Sequence, residues 1–335
     1  MTRQKSITRR YALGAMAGTL GGSILGTAGL AHAKDSYPDR PITLVVGFAA
    51  GGQSDILGRK VAQHLARELN TPVVVQNREG ATSTIAVKYV AGAKPDGYTL
   101  LLGGGSGLVM APLVMKVSFD PTRDFNSVAM LTTAAASIAV NPSVPANSLR
   151  ELVALIRDNP GKYSYANSGF GGVDHMTGEL FKQAAGGLNL LPVPYKGAAP
   201  AAQDVIGGQV PILISTFSSV YGYHKAGQLR MLAMTGAQRH ESAPEMPTAV
   251  EQGYPSLVAE TYNFLTAPAG TPQPALDALR AAVSRLMQTP AFVAELKGAQ
   301  FDPVLQSTPE STDAFLAGEV VKWRKVAELA NITPQ

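Results

Sequence analysis

Residues 47–55 read GFAAGGQSD and join an apolar run, ITLVV at 42–46, to an amphipathic run, ILGRKVAQHLAREL at 56–69. A strand that passes through a glycine turn into a helix begins an α/β unit, because the chain needs a crossover before the next strand can pair in parallel. The same turn is suited to anions. Backbone N–H groups of a Gly-Gly turn form a concave nest, and the helix that follows adds partial positive charge. One loop therefore poses both the fold and the function.

Downstream residues continue the alternation. Leu57, Val61, Leu65 and Leu69 fall four apart, with Arg59, Lys60, Arg67 and Glu68 on other faces, so one stripe of a helix near 55–69 packs on the sheet. PVVVQN (72–77), a helix near 83–93 and YTLLLG (98–103) complete a first unit. A second unit begins with the helix SLRELVALIRDNP (148–160) and repeats the logic: the strand YSYA (163–166), the loop NSGFGGVD (167–174) and the helix HMTGELFKQAA (175–185). A helix at 199–209 and strands at 210–215 and 229–236 follow, and helices near 273–287 and 309–330 close the chain. Two extended runs, VAMLTTAAASIAVNP after residue 127 and ETYNFLTAPAGTP at 260–272, read as crossings between lobes. The predicted organisation is lobe 1 from 34–135 and 260–335, and lobe 2 from 136–259.

The first 33 residues have the parts of an export signal. TRRYALG carries a twin-arginine pattern at Arg9 and Arg10, a run from Ala12 to Leu30 is diluted by six glycines, and Ala31-His32-Ala33 is a small-x-small cleavage site. The chain has no cysteine, which excludes a lipidated cysteine anchor and disulfides. Of the 28 Lys and Arg, four lie in this leader with no acid, leaving 24 bases against 24 acids. A neutral mature chain gives no footprint for nucleic acid.

Enzyme signatures fail one by one. Neither G-x-G-x-x-G nor G-x-x-x-x-G-K-[ST] occurs, and neither Ser106 nor Ser168 has the flanking glycines of a hydrolase elbow. His64, His175, His224 and His240 have no metal-ligand spacing, so neither metal nor cofactor is expected. A carboxylate held by neutral donors remains. The expected donors are the N–H groups around Gly51 and Gly52, with help from Ser54, and Gly52 is a candidate for positive φ. Asp55 is expected to cap or brace the turn.

Seven segments in order, among them YPDRPITLVVGFAAGGQSD, PVVVQNREGA, YANSGFGGVDHMTGELF and VPYKGAAPAAQDVIGGQV, resemble the Bug or TctC family over essentially the whole mature chain. That family comprises extracytoplasmic solute receptors of tripartite tricarboxylate transporters. The resemblance implies a type II periplasmic-binding-protein fold, a two-lobed flytrap with a hinge of two crossing segments. It implies a periplasmic, monomeric, non-enzymatic receptor, exported with a cleaved signal, that delivers a small carboxylate to integral-membrane subunits. A sensor presenting its closed form to a kinase is the alternative. The implied ligand site comprises Phe48, Ala50, Gly51, Gly52, Ser54 and Asp55 of the first loop and Asn167, Ser168, Gly169 and His175 of the second. Thr82, Ser106, Tyr195, Gly197, Ser215 and Thr216 complete it. The chain departs from the family pattern at Ala49 and Ala50, where prolines are frequent, and at Ser215, where an aspartate is frequent. The second departure implies loss of a charged acceptor.

Overall fold

The computed structural model describes residues 37–334; the export signal and its cleavage site lie outside the described residues. Ile42–Val46 (β1), buried at four of five positions, leads through the glycine turn into Gln53–Glu68 (α1). Val73–Asn77 (β2), Thr84–Ala91 (α2), Thr99–Gly104 (β3) and the short Ala111–Val114 (α3) follow. The first crossing is Phe125–Val140 (β4), a single strand of 16 residues. The second unit comprises Leu149–Asp158 (α4), Ser164–Asn167 (β5), Val173–Ala184 (α5), Leu191–Pro194 (β6), Ala198–Ile206 (α6), Ile212–Thr216 (β7), Phe217–Lys225 (α7) and Arg230–Met234 (β8). The return crossing is Glu260–Pro268 (β9), followed by Gln273–Met287 (α8), Pro290–Gly298 (α9), Asp302–Pro303 (β10) and Pro309–Leu329 (α10).

The strand order is β2-β1-β3-β9-β4-β7-β5-β6, with β8 and β10 also paired to β4. β1 is parallel to β2 and β3, and β5 is parallel to β6 and β7. The crossings run antiparallel to one another, from Phe125 opposite Pro268 to Ala135 opposite Glu260. β4 then continues alone into the second half, where Ala136 to Val140 pair with Thr216 to Ile212 of β7. This is an α/β fold in two lobes that share the strand β4.

Three apolar clusters fill it. One lies under α1, α8 and α9 and holds Ile42, Leu44, Leu57, Leu65, Leu279 and Phe292. A second, with Ala166, Leu213, Phe217 and Met231, lies under α6 and α7. The third joins the halves through Met110 and Val114, Met176 and Phe181, and Trp323 of α10. Gln183 Nε2 on α5 donates to the Val326 carbonyl at 2.8 Å, so α10 packs on the second unit although the chain order groups it with the first.

Candidate functional site

Register fixes which strand ends meet. β3 is antiparallel to β9, with Leu101 opposite Thr266 and Gly104 opposite Asn263, so the C-terminal ends of β1 and β3 point along β9 toward the second half. β7 is antiparallel to β4, with Ile212 opposite Val140 and Thr216 opposite Ala136, so the C-terminal ends of β7 and β5 point back toward the first half. The loops after β1 and β5 therefore face one another across the crossings. That is where open α/β sheets present their helix N-termini to ligands. Gln53 Nε2 on α1 donates to Ser218 Oγ on α7 at 3.2 Å, a direct hydrogen bond between the halves.

The two loops are one motif used twice. Gly52 and Gly172 are the N-caps of α1 and α5, with φ, ψ of −77°, 169° and −80°, 172°. Each donates its N–H to the carbonyl three residues back, Ala49 and Gly169, at 3.3 Å. The preceding glycines, Gly51 and Gly171, adopt φ of 82° and 71°, a conformation that glycine takes without strain. The N–H of each of these is accepted four residues on: Gly51 by Asp55 Oδ2 at 2.8 Å, Gly171 by His175 Nδ1 at 3.2 Å. Intrahelical bonding resumes with Ile56 to Gly52 and Met176 to Gly172. Helix geometry then leaves the N–H groups of Gln53, Ser54 and Asp55, and of Val173, Asp174 and His175, without intrahelical acceptors.

This corrects two expectations. The N–H groups of Gly51 and Gly52 are already engaged, so the donors open to an anion are those of the next turn, including Ser54 and Asp55. Positive φ belongs to Gly51; Gly52 is extended, and a Cβ there meets the Ala49 carbonyl at 3.3 Å.

Asp55 is buried and braces the first loop as expected. Its carboxylate is held down at about 2, first by the Arg59 side chain, then by the Gly51 N–H, with Asn77 assisting. Arg59 Nε lies 2.8 Å from Oδ2, and Asn77 Nδ2 donates to Oδ1 and to the Phe48 carbonyl, each at 2.9 Å. Phe48 and Ala50 are exposed on the loop, and Ser54 is half-buried.

The second loop is held without an ion pair. His175 is buried, and burial lowers its pKa, so the ring is neutral. With Nδ1 accepting from Gly171, the proton sits on Nε2. Asn167, fully buried, accepts the Gly169 N–H at its Oδ1, while its Nδ2 has no partner. Asp174, which the sequence reading passed over, is buried with its carboxyl 3.2 Å from Ser215 Oγ. Burial pushes it up to about 6, against hydrogen bonds from Ser168 and Ser215. The acidic group found missing at position 215 thus stands beside it, supplied by α5.

The remaining predicted residues border the same loops. Tyr195 donates its N–H to the Asn167 carbonyl at 3.0 Å and its hydroxyl to Asp204 at 2.7 Å, and its phenol is raised to about 12 by burial and then Asp204. Gly197, with φ of 130°, is the N-cap of α6. Thr216 pairs its hydroxyl with Ser219 at 2.8 Å at the start of α7. Ser106 is half-buried just beyond β3, at the start of the wide turn Ser106–Met110. Thr82 belongs to four successive left-handed residues, Gly80, Ala81, Thr82 and Ser83, with φ of 121°, 45°, 53° and 73°. For a β-branched residue such a conformation is strained, and strain of this kind concentrates at binding sites. Ser83 is held between the first-loop and β3 turns, because a Cβ on Gly47 or Gly107 would strike its side chain; its buried hydroxyl has no partner. Phe264 is buried against Tyr262 and Phe315 and packs in the crossing.

Comparison with known proteins gives a consistent result. The family described as Tripartite tricarboxylate transporter family receptor matches residues 57–332. Protein BugT of Bordetella pertussis is 34% identical over 313 residues, covering 91% of this chain and 94% of its own. A solved R. palustris protein with adipate is 31% identical, with a TM-score of 0.80, over 89% of this chain and 100% of its own. MatC from Rhodopseudomonas palustris with bound malate is 29% identical, with a TM-score of 0.76, over 87% and 99%.

Proposed function

This chain belongs to the tripartite tricarboxylate transporter receptor family, and from that premise we propose that it is a periplasmic receptor that closes its lobes on a small carboxylate and delivers it to membrane transporter subunits. One observation carries the reading: two equivalent helix N-termini, each with a turn of free N–H groups, stand at facing ends of the two sets of strands. Hydrogen bonds to a charged acceptor contribute about 1.5–3 kcal/mol each, so a few neutral donors suffice for micromolar binding. The His175 Nε2–H, the Asn167 Nδ2 and the Ser83 hydroxyl are further donors on the same walls.

Residues 34–135 with 260–335, and 136–259, form the lobes in this reading, and closure bends the chain where β4 leaves β9 for β7, at Ala135–Ala136 and Ala259–Glu260. The leader directs export by the twin-arginine route, with the mature chain beginning at Lys34. Adipate and malate are the acids bound by two similar proteins, and they are the first probes. Calorimetry should detect binding of at least one carboxylate, with its methyl ester inert, and small-angle scattering should record a smaller radius of gyration on binding. A scattering profile unchanged by an acid that binds in calorimetry overturns closure.

A further inference from the structure

Each glycine loop carries an exposed phenylalanine. Phe48 on the first loop is 37% exposed and Phe170 on the second is 48% exposed; the other eight phenylalanines of the chain are not among its exposed apolar residues. A single exposed apolar side chain needs no explanation. Two on the paired loops of one cleft, one on each wall, call for apolar surface between them.

Phe170 is also held in place. It occupies the corner of the turn where the first loop has Ala50, and its ring lies against the His175 imidazole, with centroids 4.9 Å apart and planes at 36°. That imidazole is pinned by the Gly171 N–H. The phenyl is thus supported on one side and open on the other.

The donors of the two loops are neutral N–H, hydroxyl and amide groups. Arg59 is engaged by Asp55, while Arg78, whose N–H bonds the Val46 carbonyl at the end of β1, lies over the Tyr89 ring at 3.6 Å with a buried Nε that has no partner.

We propose that the ligand is a carboxylic acid with a planar apolar ring, the carboxylate on the helix N-termini and the ring between Phe48 and Phe170. This rests on the reading of the cleft as a carboxylate site. Phe170 is then a specificity-determining residue, and His175 positions it.

The test is calorimetric titration of the exported chain with benzoate, cyclohexanecarboxylate and adipate. Benzoate should bind about tenfold more tightly than cyclohexanecarboxylate, since aromatic contacts favour a flat ring. Phe170→Ala should weaken benzoate about tenfold and leave adipate within about twofold, while Phe170→Tyr should retain benzoate. Adipate binding without benzoate binding overturns the ring and leaves the carboxylate site standing; so does benzoate affinity unchanged in folded Phe170→Ala. If none of the three acids binds, the carboxylate reading falls, and this inference with it.

Discussion

The two glycine loops share backbone angles, turn hydrogen bonds and helix start, yet the first is braced by an ionised carboxylate and the second by a neutral imidazole. Asp55 can carry charge while buried because Arg59, the Gly51 N–H and Asn77 all point at it. His175 has no such set and stays neutral, and the second loop's own carboxyl, Asp174, meets two hydroxyls and the Ser168 N–H but no cation, so burial wins and it resists ionisation. Identical backbone geometry therefore tolerates opposite electrostatics, provided that the N–H of the left-handed glycine finds an acceptor four residues on. What must be preserved is the acceptor, and its charge is free to vary.

The sharpest way to break this equivalence is to add a methyl to each left-handed glycine. A Cβ at Gly51 meets nothing within 4 Å, whereas one at Gly171 collides with Val114 Cγ2. Gly51→Ala should cost about 1–2 kcal/mol from φ alone. Gly171→Ala should cost about 3–4 kcal/mol, since overpacking adds to the same strain. Urea denaturation reads both, and equal losses would refute the asymmetry.

Acid titration separates the two carboxyls by sign. Asp174 has a folded pKa of about 6, above its unfolded value, so its ionisation destabilises the fold and stability should decline as pH rises from about 4 to 6. At 1.36 kcal/mol per unit, the contribution is about 3 kcal/mol, and Asp174→Asn should flatten that window. Asp55 has a folded value of about 2, below its unfolded value, so its contribution is present above about pH 4 and is lost as pH falls toward 2. A profile with the same slope in both windows would contradict the contrast.

At neutral pH, Asp55→Asn should cost about 2 kcal/mol, since the contribution of the half-exposed Arg59 is screened by solvent. His175→Asn should cost less than about 1.5 kcal/mol, because a neutral bond is exchanged for another. Thermal melts compare them directly. The smallest effect belongs to the bond that joins the loops' halves. Gln53→Ala removes the contact with Ser218 and should raise the ligand off-rate about two- to fivefold with little change in melting temperature.

Much of this was legible in the residues. The ITLVV strand ends where expected, and the helix near 273–287 spans those residues, because period-2 and period-3.6 patterns were unbroken there. α7 was missed: FSSVYGYHK has two serines and a glycine in nine residues and buries only Phe217 and Val220 fully, so no apolar stripe announces it. The loops were found by their glycines, but which glycine turns left-handed depends on where the helix begins, a boundary two residues earlier than the pattern suggested. Asp174 and Gln53 were invisible for another reason. Their long-range partners, Ser215 and Ser218, lie 41 and 165 residues away, and no local signal links them.

The crossing strands also set the order in which the protein can be made. β3 has β1 on one side and β9 on the other, so the sheet that begins at residue 42 lacks a central strand until residues 260–268 have been synthesised. α8 and α9, which close the core beneath α1, come later still, and Trp323 joins the shared cluster near the end of the chain. A nascent chain stopped at residue 135 would expose a half-covered sheet with an open edge, a state prone to pairing with its neighbours. The first lobe to be translated is thus the last to be completed. Completing the first half requires closure of a loop of more than 150 residues between β3 and β9, so a chain truncated before β9 should leave that half prone to aggregate.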